Sequence, residues 1–461
     1  MAALRLDTAA EYSGGRILSG RPETVFTGYT IDSRTAGPGD LFFALPGHRD
    51  GHDFIPAASE RGARGAMVSR PISPPREGFA LLEVPDAIRG LQDLAAAVLN
   101  HHPVKIVAVT GSAGKTTTKE FAADLLSPHL GILRSEGNFN NHLGLPLSLL
   151  RLDENHEVAV LEMGMSASGE ILTLTRIAPP DIAVITNILP VHLQYFDGIE
   201  AIALAKKEIL DGAKPGAAAV LNGDDALVLR MADGWPGERI HFGLGPGHTV
   251  RALDIRTEDD RGMRFTLDYA DRRSDAFLPF IGEAFLLDAL AAAGICLAFR
   301  VPADAVVDGL ARLKPHDRRG VFLELENGIR VYDDSYNSNP EALASVLRSL
   351  GRLPARRKVA VLGDMLELGP TEIDFHRRAG ETVFREGWDL LITAGPLAAH
   401  LAEGAEAAGM PRDAVIVFPD ARQAAPAAGK YLEPGDLVLV KGSRGMAMDR
   451  IVDALKKDRK E

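Results

Sequence analysis

With a single cysteine, Cys296, in 461 residues, no intramolecular disulfide can form. That excludes the disulfide-stapled secreted scaffolds and suits a reducing compartment. Positive charge is also in deficit. Lys and Arg number 51 against 63 Asp and Glu, leaving a net charge of −12, which argues against a general nucleic-acid binder, whose affinity comes from clustered basic side chains. An anionic ligand would therefore need local basic pockets. Long hydrophobic runs are missing as well. The strongest, 284–299, is interrupted by Asp288 and falls short of the roughly 20 residues that cross a bilayer, so it predicts a buried helix. Residues 1–16 lack a basic stretch followed by an apolar one, which predicts no secretory leader. No repeat, low-complexity tract or heptad series is present. The expectation is a cytoplasmic monomer that neither inserts in membranes nor binds nucleic acid, with disorder only at 456–461.

Hydrophobic residues at 46% and charged residues at 25% match ordinary globular proteins, and the length calls for about three cores at about 150 residues each. The pattern divides into an N-terminal α/β domain over 1–100, a central domain over 101–313 and a Rossmann-like domain over 314–461. His101-His102-Pro103 breaks the chain after a helix at 87–100. Beyond it, short apolar runs of buried parallel-strand type at 104–109, 158–162, 182–186 and 218–221 alternate with helical segments. A second series, at 321–325, 330–332, 359–362, 390–394, 415–418 and 437–440, follows Lys314-Pro315. The fold class expected is α/β with parallel sheets in three domains.

The sharpest chemical signal is Thr110-Gly111-Ser112-Ala113-Gly114-Lys115-Thr116-Thr117, between a strand and a helical pattern at 120–126. A strand delivers the turn, its glycines let amide N–H groups close around phosphate oxygens, and the helix adds the positive end of its dipole. Lys115 would reach the outer phosphates and Thr116 would hold magnesium. The glycine spacing is shorter than in Gly-x-x-x-x-Gly-Lys-Thr, so the context carries the assignment. Glu162 closes the next strand and could face that loop as a metal ligand. Thr186-Asn187 ends another, with His192 close behind, either a ligand or a satisfied structural histidine. On the helical stretch 199–210, Lys206 falls on the apolar face with Ile202, Ile209 and Leu210. A lysine there must pair with an anion, lose its proton, be modified or snorkel to the surface, and the residues alone leave these open. Asp333 to Pro340 and Lys441-Gly442-Ser443-Arg444-Gly445 follow two strands of the third unit, at the edge where ligands usually bind.

Together these segments resemble the ATP-dependent Mur ligases of peptidoglycan synthesis, over nearly the whole chain. Asp32-Ser33-Arg34, with Pro38 to Leu45 and Asp50-Gly51-His52, is similar to the segment that grips the UDP part of the substrate. Asn138 to Pro146, Val361 to Gly369 and the two clusters of the third unit complete the likeness, and Glu162-Met163-Gly164-Met165 with Gly169-Glu170-Ile171 is typical of the members that add D-alanyl-D-alanine. The resemblance implies an enzyme that uses ATP and magnesium, two ions being expected, to join D-alanyl-D-alanine to UDP-N-acetylmuramoyl-tripeptide through an acyl phosphate. It implies that Gly111 to Thr117 bind phosphate, that Thr116, Glu162 and His192 bind metal, and that a carbamylated Lys206 supports the second ion. Asn337, Asn339 and Arg319 would serve the nucleotide, with Arg319 also governing the opening of the C-terminal domain. Ser33, Arg34, Asn140, Asn141, Lys441, Ser443 and Arg444 would serve the substrates.

The chain departs from the family pattern in one segment and at two further positions. Gly282-Glu283-Ala284-Phe285-Leu286-Leu287-Asp288 stands where relatives carry Gly-x-His-Asn-x-x-Asn. Asp288 thus replaces an adenine-contacting asparagine, and an ionised carboxylate can only accept hydrogen bonds. Arg318 occupies a glycine position before Arg319, and Ala342 a serine position. Another Mur ligase, a folylpolyglutamate synthetase-like enzyme and a non-catalytic nucleotide-binding paralogue are the alternatives.

Overall fold

Apolar residues alternate between two cores along the strand Lys105–Thr110, with Ile106 and Ala108 packed on one face and Val107 and Val109 on the other. Burial on both faces is why this strand reads as a continuous hydrophobic run. It lies inside a nine-stranded sheet in a computed structural model that describes residues 2–191, 193–316, 318–325 and 328–457. Val158–Glu162 and Ile182–Ile185 flank it in parallel, followed outward by Ile132–Arg134 on one side and by Ala218–Asn222 and Arg239–Gly243 on the other. The sheet thus grows in both directions from Lys105–Thr110, and the crevice at its carboxyl end is a topological switch point.

The sequence pattern missed the far edge of this sheet. Val250–Glu258, Gly262–Tyr269 and Arg272–Leu278 form antiparallel hairpins, whose outward faces carry charge in place of the apolar runs expected of buried strands. Helix Lys115–Leu126 begins at the end of the phosphate turn, five residues ahead of the expected 120–126. Glu283–Ala298 is the expected buried helix and packs against it.

Two further sheets complete the α/β fold. The N-terminal one has five strands in the order Arg16–Ser19, Ala80–Glu83, Gly65–Val68, Asp40–Phe43, Gly28–Thr30, with only the first pair antiparallel. Helix Ala87–Asn100 leads out of it, capped by Asp86, whose carboxylate accepts from the amides of Ile88 and Arg89. The C-terminal sheet has six strands, in which Asp436–Lys441 inserts between Arg330–Asp334 and Arg357–Gly363. Lys456 and Lys457, expected to be disordered, close the helix Asp449–Lys457, and the rest of that stretch lies outside the described residues. Among the described residues no helix is long and apolar enough to cross a membrane.

Candidate active site

Strand register builds the first half of the site. Pairing of Val158–Glu162 with Lys105–Thr110 sets Glu162 beside Val109, next to the turn that follows. There Thr116 Oγ1 donates to Glu162 Oε2 at 2.6 Å, and Asn140 Nδ2 donates to Oε1 at 2.7 Å. The turn itself needs its glycines. Gly111 and Gly114 have φ of 151° and 81°, and a Cβ would run into the Thr186 hydroxyl at the first and the Asp288 carboxyl at the second. The strand end Thr186-Asn187 braces the turn: Asn187 O accepts from the Ser112 amide at 3.0 Å and Asn187 Oδ1 from the Ala113 amide at 2.8 Å. Helix Lys115–Leu126 has no side-chain cap, so its first amides are left for an anion. Lys115 folds back so that Nζ donates to Gly111 O at 2.8 Å. Burial lowers its pKa, partly opposed by Glu162.

Lys206 does not snorkel. Only 2% of it is exposed, because helix Ile199–Asp211 turns that face inward with Ile202, Ala203 and Ile209. Burial first, and the nearby Lys115 ammonium second, push its pKa well below the usual lysine range. Asp288 departs from expectation. It is buried against Gly114, and Thr118 Oγ1 donates to its Oδ1 at 3.4 Å. Burial raises its pKa to about 8, against the opposing pull of the Thr118 hydrogen bond, Arg319 and Lys115. The side chain is therefore a neutral acid at pH 7, able to donate as well as accept, where the sequence suggested an ionised acceptor.

Register sets the opposite wall too. Asp334 pairs with Lys441 across adjacent strands, and the Lys441 ammonium donates to the Asp334 carboxylate and to Asn337 O. Ser443 Oγ accepts from the Leu366 amide at 2.9 Å. Two guanidinium groups lie over the ring of Tyr336, Arg319 at 4.1 Å and Arg444 at 5.4 Å from its centroid. Asn339 caps helix Pro340–Gly351, its Oδ1 accepting from the Ala342 amide at 2.8 Å. That bond uses only the amide of residue 342, so alanine in place of serine costs the cap nothing.

Between the walls lies a cavity of about 640 Å³. Ser112 to Thr117, Asn140, Asn141, Glu162, Lys206 and Asp288 line it from the phosphate-loop side, and Arg319, Asn337, Asn339, Lys441, Ser443 and Arg444 from the other. Gly111 is buried and does not line the cavity. Ser33 and Arg34 are not brought to the cavity: Ser33 is buried, and Arg34 is 83% exposed and paired with Asp32 in the N-terminal domain. His192 lies outside the described residues. Sequence reasoning missed the polar chain Lys119, Glu120, Arg134, Asp124 and His316, joined by contacts of 2.8, 2.8, 2.8 and 2.9 Å. His316 is 192 positions from Asp124, and no local pattern could have announced the pair.

The donor set fits magnesium. Thr116 and Glu162 offer hard oxygens beside the phosphate turn. Magnesium takes few protein ligands and completes its shell with substrate phosphates and water.

Comparison with known proteins agrees with this geometry. The Mur ligase family catalytic domain matches residues 25–125, the Mur ligase middle domain 109–296, and the Mur ligase glutamate ligase domain 318–444. The chain is 35% identical over 435 residues to the UDP-N-acetylmuramoyl-tripeptide–D-alanyl-D-alanine ligase of Bacillus subtilis, covering 94% of each chain. Among solved structures it is similar to MurF of Acinetobacter baumannii, with a TM-score of 0.89 and 29% identity over 99% of each chain. It is also similar to the MurF ligase of Thermotoga maritima in complex with ADP, with a TM-score of 0.82 and 30% identity over 94% of this chain and 97% of that one.

Proposed function

Because the chain belongs to the Mur ligase family, we propose that it is the ATP-dependent amide ligase that joins D-alanyl-D-alanine to UDP-N-acetylmuramoyl-tripeptide in peptidoglycan precursor synthesis. The observation that carries this reading is the cavity in which the phosphate loop and the Thr116–Glu162 pair face Arg319, Lys441 and Arg444 across a domain boundary. Cations on both walls suit a reaction between two anions, a triphosphate and a carboxylate, in a protein whose overall charge is negative.

The chemistry follows from the groups present. The loop amides and Lys115 hold the triphosphate so that its γ-phosphoryl group meets the terminal carboxylate of the tripeptide. Transfer forms a new P–O bond to the carboxylate and breaks the bond to the leaving ADP, giving an acyl phosphate. Magnesium, held by Thr116 and Glu162 with His192 as the family's further ligand, would supply charge neutralisation on the phosphates. The amine of D-alanyl-D-alanine then attacks the acyl carbon, phosphate leaves with the electron pair of the C–O bond, and the amine proton is lost to solvent or base. Walls from two domains keep water from the acyl phosphate.

Lys206 carries a carbamate in this reading. A buried amine held neutral can attack carbon dioxide: the nitrogen lone pair forms the N–C bond, one C–O π pair moves to oxygen, and a proton leaves the nitrogen. The product places an anion beside Lys115, where the neutral amine offered that ammonium no partner.

Phosphate release tests the proposal. With UDP-N-acetylmuramoyl-tripeptide and ATP, release should depend on added D-alanyl-D-alanine, and release indifferent to the dipeptide defeats the assignment in favour of another amide ligase or a nucleotide-binding paralogue. In the same assay Lys206→Ala should lose nearly all activity with the fold intact and regain part of it with a short-chain carboxylate. Full activity without rescue would exclude the carbamate.

A further inference from the structure

The segment joining the central and C-terminal domains is gripped from both sides. His316 Nε2 lies 2.9 Å from Asp124 Oδ2 on the helix that follows the phosphate loop. Two residues on, Arg318 Nη2 donates to both carboxylate oxygens of Asp453, at 2.9 and 3.1 Å, and Nη1 donates to Asp449 O at 3.2 Å. Asp453 and Asp449 belong to the last helix, Asp449–Lys457. Arg318 keeps this hold with a φ of 55°, in the left-handed region where a side chain is disfavoured. Its guanidinium turns to the C-terminal helix, while that of its neighbour Arg319 lies in the cavity over Tyr336. There Arg319 Nε is buried without a hydrogen-bond partner among the described residues, a donor left for a ligand.

We infer that Arg318 is a positioning residue for the nucleotide half of the site: by clamping the linker to Asp453 it fixes the backbone from which Arg319 enters the cavity. Neither Arg318 nor Asp453 lines the cavity, so their effect on the nucleotide passes through Arg319. Nη2 on the Asp453 carboxylate and Nη1 on the Asp449 carbonyl anchor the guanidinium at two points of the last helix, which restricts direction as well as distance. The inference rests on the nucleotide reading of the cavity.

Steady-state kinetics and calorimetric ADP binding test it. Asp453→Ala removes the strongest arm of the clamp, leaving the Asp449 carbonyl and Asp333 at 3.9 Å, without touching the linker backbone, and should raise the KM for ATP and the Kd for ADP about five-fold, near the upper end for a partly exposed ion pair. The KM for D-alanyl-D-alanine and kcat should stay within about two-fold. Asp453→Glu should restore most of the loss, and Arg318→Lys should resemble Asp453→Ala. A purely structural role predicts the opposite split, with fewer active molecules, a lower kcat and an unchanged KM for ATP. That split, or wild-type KM for ATP in both Asp453→Ala and Arg318→Lys, overturns the inference. Failure of the unmodified enzyme to bind ADP would instead overturn the nucleotide reading.

Discussion

Asp288 is the residue at which composition misleads most. An aspartate beside a phosphate site suggests repulsion, yet a carboxyl buried against Gly114 and Thr118 keeps its proton up to about pH 8. Its folded pKa lies above the ordinary carboxylate value. Its contribution to stability is therefore fullest below about pH 4, falls as pH rises towards 8, and is flat above that. Nucleotide affinity has a different window. Below pH 8 the neutral acid can donate to a ligand; above it, a bare carboxylate faces the phosphate loop. If only the neutral form binds, ADP affinity drops about ten-fold between pH 7 and 9. Asp288→Asn fixes the neutral, donating form, so it should tighten ADP binding slightly at pH 7 and remove most of this fall. Calorimetric titrations across that range decide the matter, because ionisations of ADP itself are common to both proteins. Equal slopes in the two would exclude Asp288 as the source.

At the scale of elements, the readable features were those with a local cause. Strands buried on both faces announce themselves as unbroken apolar runs, so Val158–Glu162 was placed to the residue and Lys105–Thr110 within one. The phosphate turn was legible because Gly111 and Gly114 answer backbone demands that other residues meet poorly. Non-local pairing was not legible. The hairpins from Val250 to Leu278 expose one face and lose the apolar signal, while the Lys441–Asp334 pair depends on a strand inserted out of chain order. Asn339 shows how a residue valued for ligand contact can serve an element. Its Oδ1 is committed to the Ala342 amide at the start of helix Pro340–Gly351. Asn339→Ala should therefore cost about 1 kcal/mol, lowering the thermal transition by about 3 °C, with Asn339→Ser keeping most of it. An unchanged melting temperature together with a raised KM for ATP would show that the cavity, and not the cap, is what Asn339 serves.

For the whole molecule, the site exists only where domains meet, and its geometry depends on groups far apart in the chain. The Asp124–His316 contact joins the helix behind the phosphate loop to the linker of the C-terminal domain. The hydrogen bond that the His316 ring donates to the Asp124 carboxylate is the main cause raising the His316 pKa above its ordinary value. Burial opposes the shift, Asp124 and Glu120 add to it by charge, and Arg134 subtracts. These are the charged neighbours on the helix Lys115–Leu126 and the strand Ile132–Arg134. A histidine whose pKa is raised on folding contributes all of its stabilisation below the unfolded value near 6.5 and loses it as pH climbs through the folded value. Asp124 does not add a transition there, because burial raises its pKa but the hydrogen bond and charge of His316, then Arg134, outweigh burial and leave it below the usual carboxylate value. His316→Gln retains a donor but has no charge to lose. The stability difference between native protein and His316→Gln should accordingly be largest near pH 6 and shrink as the pH rises above 6.5, as followed by thermal unfolding at fixed ionic strength. Added salt should shrink the difference only modestly, since the two side chains are only 28% and 31% exposed. A gap that is constant across this range would mean that the contact acts through shape and hydrogen bonding alone, with no contribution from the imidazolium charge.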